Sequence, residues 1–139
     1  MNCKDLTIGD FVKHDGTIKI VDAVYLYSVS VHDQSEEWSI SEAKTYSIDD
    51  IEPIELTEDI LVKNGFHRSP RWHYCEITTD DGFKIYVQLG CGGTIDYVSI
   101  TKHNSDLMER GIDVTVSIHY FHELQHLLRL CGVEKELTI

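Results

Sequence analysis

The sequence predicts an α+β protein: an N-terminal SH3-like small β-barrel, then a four-stranded antiparallel meander sheet with two short helices. Three observations carry that expectation. The 139 residues are 42% hydrophobic and 26% charged, the balance of a chain that folds around a core. Short runs of Val, Ile, Tyr and Phe recur along most of the length, separated by Asp-Gly and Gly-rich breaks. Helical patterning is confined to two places, after Thr57 and after His119.

The first third reads as strands. Ile8-Gly9-Asp10-Phe11-Val12 leads to a turn at His14-Asp15-Gly16, where Asp-Gly supplies positive φ for a tight hairpin. Ile18 to Val31 has the composition of a pleated surface but exceeds the length of one flat strand. A bend is therefore expected near Ala23 or Ser28. The polar stretch from His32 to Glu37 is a loop. Trp38 and Ile40, then Tyr46 and Ile48, alternate with serines as two further half-buried strands. Short strands packed into residues 1–55 can cover their edges by curling into a barrel.

Residues 56–139 read as an α-β-β-β-β-α unit. Thr57 is placed to cap a helix, Glu58 and Asp59 favour its positive end, and Asn64-Gly65 stops it. Leu56 and Leu61 stand where a hydrophobic staple would place them. Trp72 to Ile77 and Phe83 to Leu89 form a hairpin through Asp80-Asp81-Gly82. In the second of these strands Phe83, Ile85, Val87 and Leu89 share one face, and Lys84, Tyr86 and Gln88 the other. A strand from Ile95 to Thr101 follows Gly90-Cys91-Gly92-Gly93. The polar connection 102–111 leads to a fourth strand, Ile112 to Ser117, and a helix from His119 to Cys131 ends at Gly132.

Charge narrows the partners. The formal net charge is −12; residues 1–56 carry −8 of it and residues 57–139 the remaining −4. Such a field repels phosphate backbones, which argues against nucleic acid and suits a basic protein partner. No apolar run reaches the length of a membrane span, and the opening residues lead into no signal-peptide core. The expected location is the cytoplasm, without a membrane. The four cysteines (Cys3, Cys75, Cys91, Cys131) form no C-x-x-C pair and read as reduced, buried thiols.

Two segments could carry chemistry. His122-Glu123-Leu124-Gln125-His126 matches H-E-x-x-H, in which two histidines one helical turn apart bind zinc and the Glu acts as general base. A catalytic zinc takes a third protein ligand, and only Glu134 and Glu136 remain as downstream acids. On a helical wheel Tyr120, Phe121, Leu124, Leu127, Leu128 and Cys131 form the apolar stripe, with His122, His126 and Arg129 opposite. That places both histidines in solvent. The second segment, His67 to Tyr74, mixes Arg68, Arg71 and Trp72 in a way that could grip a nucleic-acid strand. The plainer reading is a loop entering a strand, with Trp72 or Tyr74 in the core and the arginines paired to acids. Gly90 to Gly93 lies between strands and not before a helix, so it is a turn and not a phosphate cradle. Cys91 within it is a structural thiol on this reading. Glu36-Glu37 and the acids of residues 49–52 are solvated edges or an acidic docking surface.

Three segments together resemble a known family: Lys4 to Val12, Ile51-Glu52-Pro53-Ile54-Glu55-Leu56-Thr57-Glu58-Asp59-Ile60-Leu61-Val62-Lys63-Asn64-Gly65-Phe66, and Tyr120 to His126. The family comprises uncharacterised small proteins of gut Bacteroides genomes, found in phage, prophage and mobile-element contexts. The resemblance implies no established activity and no assigned site residues. The expectation is a non-enzymatic accessory protein that binds another protein and needs no cofactor. The competing expectation is a zinc-dependent hydrolase using His122, Glu123 and His126.

Overall fold

The computed structural model describes residues 2–34, 43–102 and 112–139. The chain divides into two compact units, Met1–Ile54 and Glu55–Ile139. The expected strand at Trp38 and Ile40, Glu36-Glu37 and nearly all of the 102–111 connection lie outside the described residues.

In the first unit β1 (Phe11–His14), β2 (Thr17–Val24), β3 (Ser28–Asp33), β4 (Lys44–Ser47) and β5 (Glu52–Pro53) form one antiparallel sheet, ordered β4-β3-β2-β1-β5. The β1–β2 turn has Asp15 at φ 48° and Gly16 at φ 74°, with His14 opposite Thr17. Both central residues are left-handed, as a two-residue turn that follows the twist of the strands requires. The expected bend is a shift of register between Val21 and Ala23 in β2, where an extra residue increases the local twist. The chain then reverses at Tyr25–Tyr27. Leu6, Val12, Val21, Val29, Val31 and Ile51 make the core, with Tyr46 and Ile48 packed against it.

The sheet is strongly curled. His14 stacks on Tyr46 with ring centroids 3.7 Å apart, although β2 and β3 lie between their strands in the sheet order. Among the described residues it does not close, and the expected SH3-like barrel is corrected there to an open five-stranded sheet. Among the described residues no ladder joins β4 to β5. These edge strands have four and two residues, too few backbone pairs to seal a barrel.

The second unit holds α1 (Glu58–Lys63), β6 (His67–Arg68), β7 (Tyr74–Thr78), β8 (Phe83–Leu89), β9 (Ile95–Lys102), β10 (Ile112–Val116) and α2 (Phe121–Leu130). Its antiparallel sheet runs β10-β9-β8-β7-β6. The expected four-stranded meander therefore gains a fifth strand. β6 pairs His67 with Glu76 and Arg68 with Cys75, and two residues are too short to show an alternating pattern in sequence. One sheet face is dry: Cys75, Phe83, Ile85, Val87, Leu89, Val98 and Ile100 are all buried.

α1 starts as its sequence dictates. The Thr57 hydroxyl accepts the Ile60 N–H, and Leu56 and Leu61 are both buried. At its end Gly65 has φ 86°; its N–H donates to Val62 at 3.0 Å, and that of Phe66 to Leu61 at 3.1 Å. This is the paired closure of a Schellman motif. Asn64, at the C-cap, is buried. Its amide donates to Ile60 O (2.8 Å) and Thr138 O (2.7 Å), and its Oδ1 accepts the Thr138 N–H (2.8 Å). One side chain thereby ties the segment carrying buried Val133 and Leu137 to α1. No helix among the described residues is long and apolar enough to cross a membrane.

Candidate functional site

The H-E-x-x-H residues lie on α2, but not as the helical wheel implies. His122 is 3% exposed and Gln125 is buried as well, while Tyr120 is 38% exposed. The solvent-facing expectation for His122 is corrected; His126 is half-buried. The surroundings of α2 cover a wider arc than its apolar stripe. The His122 ring lies 5.9 Å from that of Tyr120 and nearly parallel to it, and 5.7 Å from that of His126 at 72°.

Glu123 has a task of its own. Its Oε2 accepts the N–H of His119 at 2.7 Å and that of Tyr120 at 2.9 Å. Tyr120, at the N-cap, has no short polar side chain to offer, so the third-position carboxylate satisfies donors at the helix start. A general base would have to surrender this role. Among the described residues no group of three or more His, Cys, Asp or Glu is placed to hold a metal.

The basic-aromatic segment is split by the fold. Arg68 is drawn inward: its Nε pairs with Glu58 at 3.0 Å, and its guanidinium donates to the carbonyls of Ser69 (3.0 Å), Trp72 and Tyr74 (3.4 Å). It organises the loop. The Ser69 hydroxyl accepts the N–H of Trp72 at 3.1 Å. Arg71 and Trp72 remain exposed, Trp72 at 67%, so the expectation of Trp72 in the core is corrected and Tyr74 is only half-buried.

Cys91 is exposed in its Gly-rich turn, which corrects the expectation of a buried thiol there: the turn projects between strands with nothing among the described residues packed over it. It lines a cleft of about 390 Å³ together with His73, Asp96, Glu58 and Arg68. Gly90 leaves room there for Asp96: a Cβ at residue 90 would lie 2.5 Å from Asp96 Oδ1 and the carboxylate would have to shift. Cys75, Cys91 and Cys131 are free thiols. Burial pushes the Cys75 and Cys131 thiols up in pKa, aided at Cys75 by the Glu58 charge. Across β2 and β3, His32 Nδ1 lies 2.6 Å from Asp22 Oδ1. Lys19 pairs with Asp33 and holds its carboxyl below the usual range.

Two surfaces were not legible as sites. The first is the β2–β3 tip, where Tyr25, Leu26 and Tyr27 are 54%, 73% and 75% exposed. The tip is nevertheless held: Tyr25 N–H donates to Ser28 O at 2.9 Å, and Ile48 N–H to Tyr27 O at 3.0 Å. A turn without Gly, Asn, Asp or Pro gives no signal in sequence, and three large side chains in a row read as strand. The second is the open face of the second unit's sheet, which carries Tyr74, Tyr86 and Tyr97. Alternation placed Tyr86 on that face, and the matching alternation in β9 would have added Tyr97. No family model matches the chain, and neither the curated proteins nor the solved structures supply a match.

Proposed function

We propose that the chain is a non-enzymatic accessory protein, of phage or mobile-element origin, that binds another protein through its first unit. One observation carries this reading: three consecutive large side chains, Tyr25, Leu26 and Tyr27, stand exposed on a hydrogen-bonded hairpin tip. Leaving such a patch in water gains nothing for folding, and ordered aromatic anchors are what interface hot spots are made of. The surrounding charge selects the partner. Residues 1–56 carry −8, so the favoured partner offers an apolar pocket with a basic rim. The scaffold that holds the tip is the curled five-stranded sheet, with a short 3₁₀ turn at Ile48–Asp50 before β5.

The test is capture from the native host with the parent chain and with Leu26→Asp. A partner retained by the parent, lost with the variant and released by salt would support the reading. Hydrolytic activity abolished both by chelator and by Glu123→Gln would replace it with the zinc hydrolase.

A further inference from the structure

The open face of the second unit's sheet offers a different kind of site. β8 and β9 place Tyr86 opposite Ser99 and Gln88 opposite Tyr97; β10 adds Thr115 opposite Ser99. Lys84, Tyr86, Tyr97, Ser99, Thr101 and Thr115 line a shallow depression of about 480 Å³, within the size range of small-ligand sites. Two tyrosine rings bound it and hydroxyls floor it.

Hydrogen-bond direction can be followed atom by atom. Gln88 Nε2 donates to His73 O at 2.8 Å and to Leu89 O at 3.2 Å, which fixes which end of the amide is oxygen. That oxygen must then accept, and the Tyr86 hydroxyl donates to it at 3.1 Å. The phenol has spent its only proton. What it presents to a ligand is lone pairs. Burial, with Tyr97, Tyr74 and Glu76 close by, pushes the Tyr86 pKa up, so it stays a neutral phenol. Beside it the Thr115 and Ser99 hydroxyls share one hydrogen bond at 3.2 Å; whichever of them donates, the pair keeps one proton to give. The face thus sets an acceptor next to a donor. The described charges near it, Lys84 and Glu76, pair at 3.4 Å.

The geometry points to this face as a binding site for a neutral polyhydroxylated ligand, a mono- or oligosaccharide. Each sugar hydroxyl both donates and accepts, which matches the alternating Tyr86 and Ser99 groups. The apolar C–H face of a pyranose ring covers an aromatic ring without needing charge. A proline-rich peptide brings carbonyl acceptors but no N–H at proline, and so leaves the Tyr86 lone pairs unmet. A phosphate-bearing ligand brings acceptors only and meets no unpaired cation among the described residues of this face. The inference is independent of the hairpin tip and of any protein partner.

The experiment places the full chain on an array of neutral, acidic and aminated oligosaccharides, with single-stranded RNA and proline-rich peptides as further probes. The best neutral sugar is then titrated calorimetrically against the parent, Tyr97→Ala, Tyr86→Phe and Thr115→Val. Binding of at least one neutral sugar is expected. It should weaken about tenfold or more in Tyr97→Ala and severalfold in Tyr86→Phe, each such factor reflecting one lost contact. Tyr86→Phe keeps the ring and removes only the oxygen, so it remains informative if Tyr97→Ala fails to fold. No neutral sugar bound, binding unchanged in Tyr86→Phe and Thr115→Val, or binding of RNA or peptide alone would overturn the assignment.

Discussion

α1 and α2 end alike and begin differently. Gly132 closes α2 with φ 74°, its N–H donating to Arg129 at 3.1 Å and that of Val133 to Leu128 at 2.8 Å. The same two bonds close α1 at Gly65 and Phe66. At the start, α1 uses the hydroxyl of its own cap residue, Thr57, while α2 borrows the carboxylate of Glu123 from one turn inside. The difference teaches that one carboxylate can satisfy two readings of a sequence. Within H-E-x-x-H the Glu looks catalytic; within the helix it is the acceptor that Tyr120 cannot supply.

Four measurements sharpen or break this comparison. The largest effect belongs to packing. Leu124 is fully buried, and Leu124→Ala should lower the unfolding free energy by ~2–5 kcal/mol in denaturant titration. The C-caps come next. Asn64→Ala strands the Thr138 and Ile60 backbone groups it serves and should cost ~1–3 kcal/mol. Cys131→Ala, at the equivalent place in α2, should cost about 0.5 kcal/mol or less. Equal losses at the two caps would show that the Asn64 tie is incidental.

The N-caps follow. Thr57→Ala and Glu123→Ala should each cost ~0.5–2 kcal/mol, with no response of the parent's thermal midpoint to chelator. A chelator-sensitive midpoint would return Glu123 and its flanking histidines to a metal site. The smallest difference concerns thiols, where no stability change is expected. Exposed Cys91 should react with an aromatic disulfide reagent well before Cys75 and Cys131, whose pKa values burial has raised. Reaction of Cys131 as fast as Cys91, with Cys75 still protected, would show that α2's C-cap opens readily.

Legibility in the sequence tracked how local each cause was. The Asp15-Gly16 turn, the Thr57 cap, the Gly65 stop and the alternation of Phe83 to Leu89 each depend on residues within a few positions of one another. All of them appear in the fold. Closure of the first sheet depends on whether two distant edges meet with enough length, and no local pattern encodes that. β6 is too short to alternate. His122 shows the limit of the helical wheel: it ranks faces by polarity, but burial is set by whatever covers the helix. Arg68 and Trp72, neighbours in one suggestive segment, parted because the carbonyls of their loop needed a donor and Arg68 was within reach. The hairpin tip was hidden by its own composition, since exposed Tyr-Leu-Tyr is spelled like a strand.

The Asn64 tie also bears on chemical ageing. Asn followed by Gly is the pair most prone to deamidation, in which the next backbone nitrogen attacks the side-chain carbonyl and ammonia leaves. Here the Gly65 nitrogen is engaged with Val62 O, and both ends of the Asn64 amide are held. The folded chain shields the bond; the unfolded chain exposes it. Conversion to Asp would replace an amide donor with a buried carboxylate facing the carbonyls of Ile60 and Thr138, which disfavours return to the same fold. Residue 64 therefore works as a clock that advances only while this unit is open, and the isoaspartate it accumulates records the time spent unfolded.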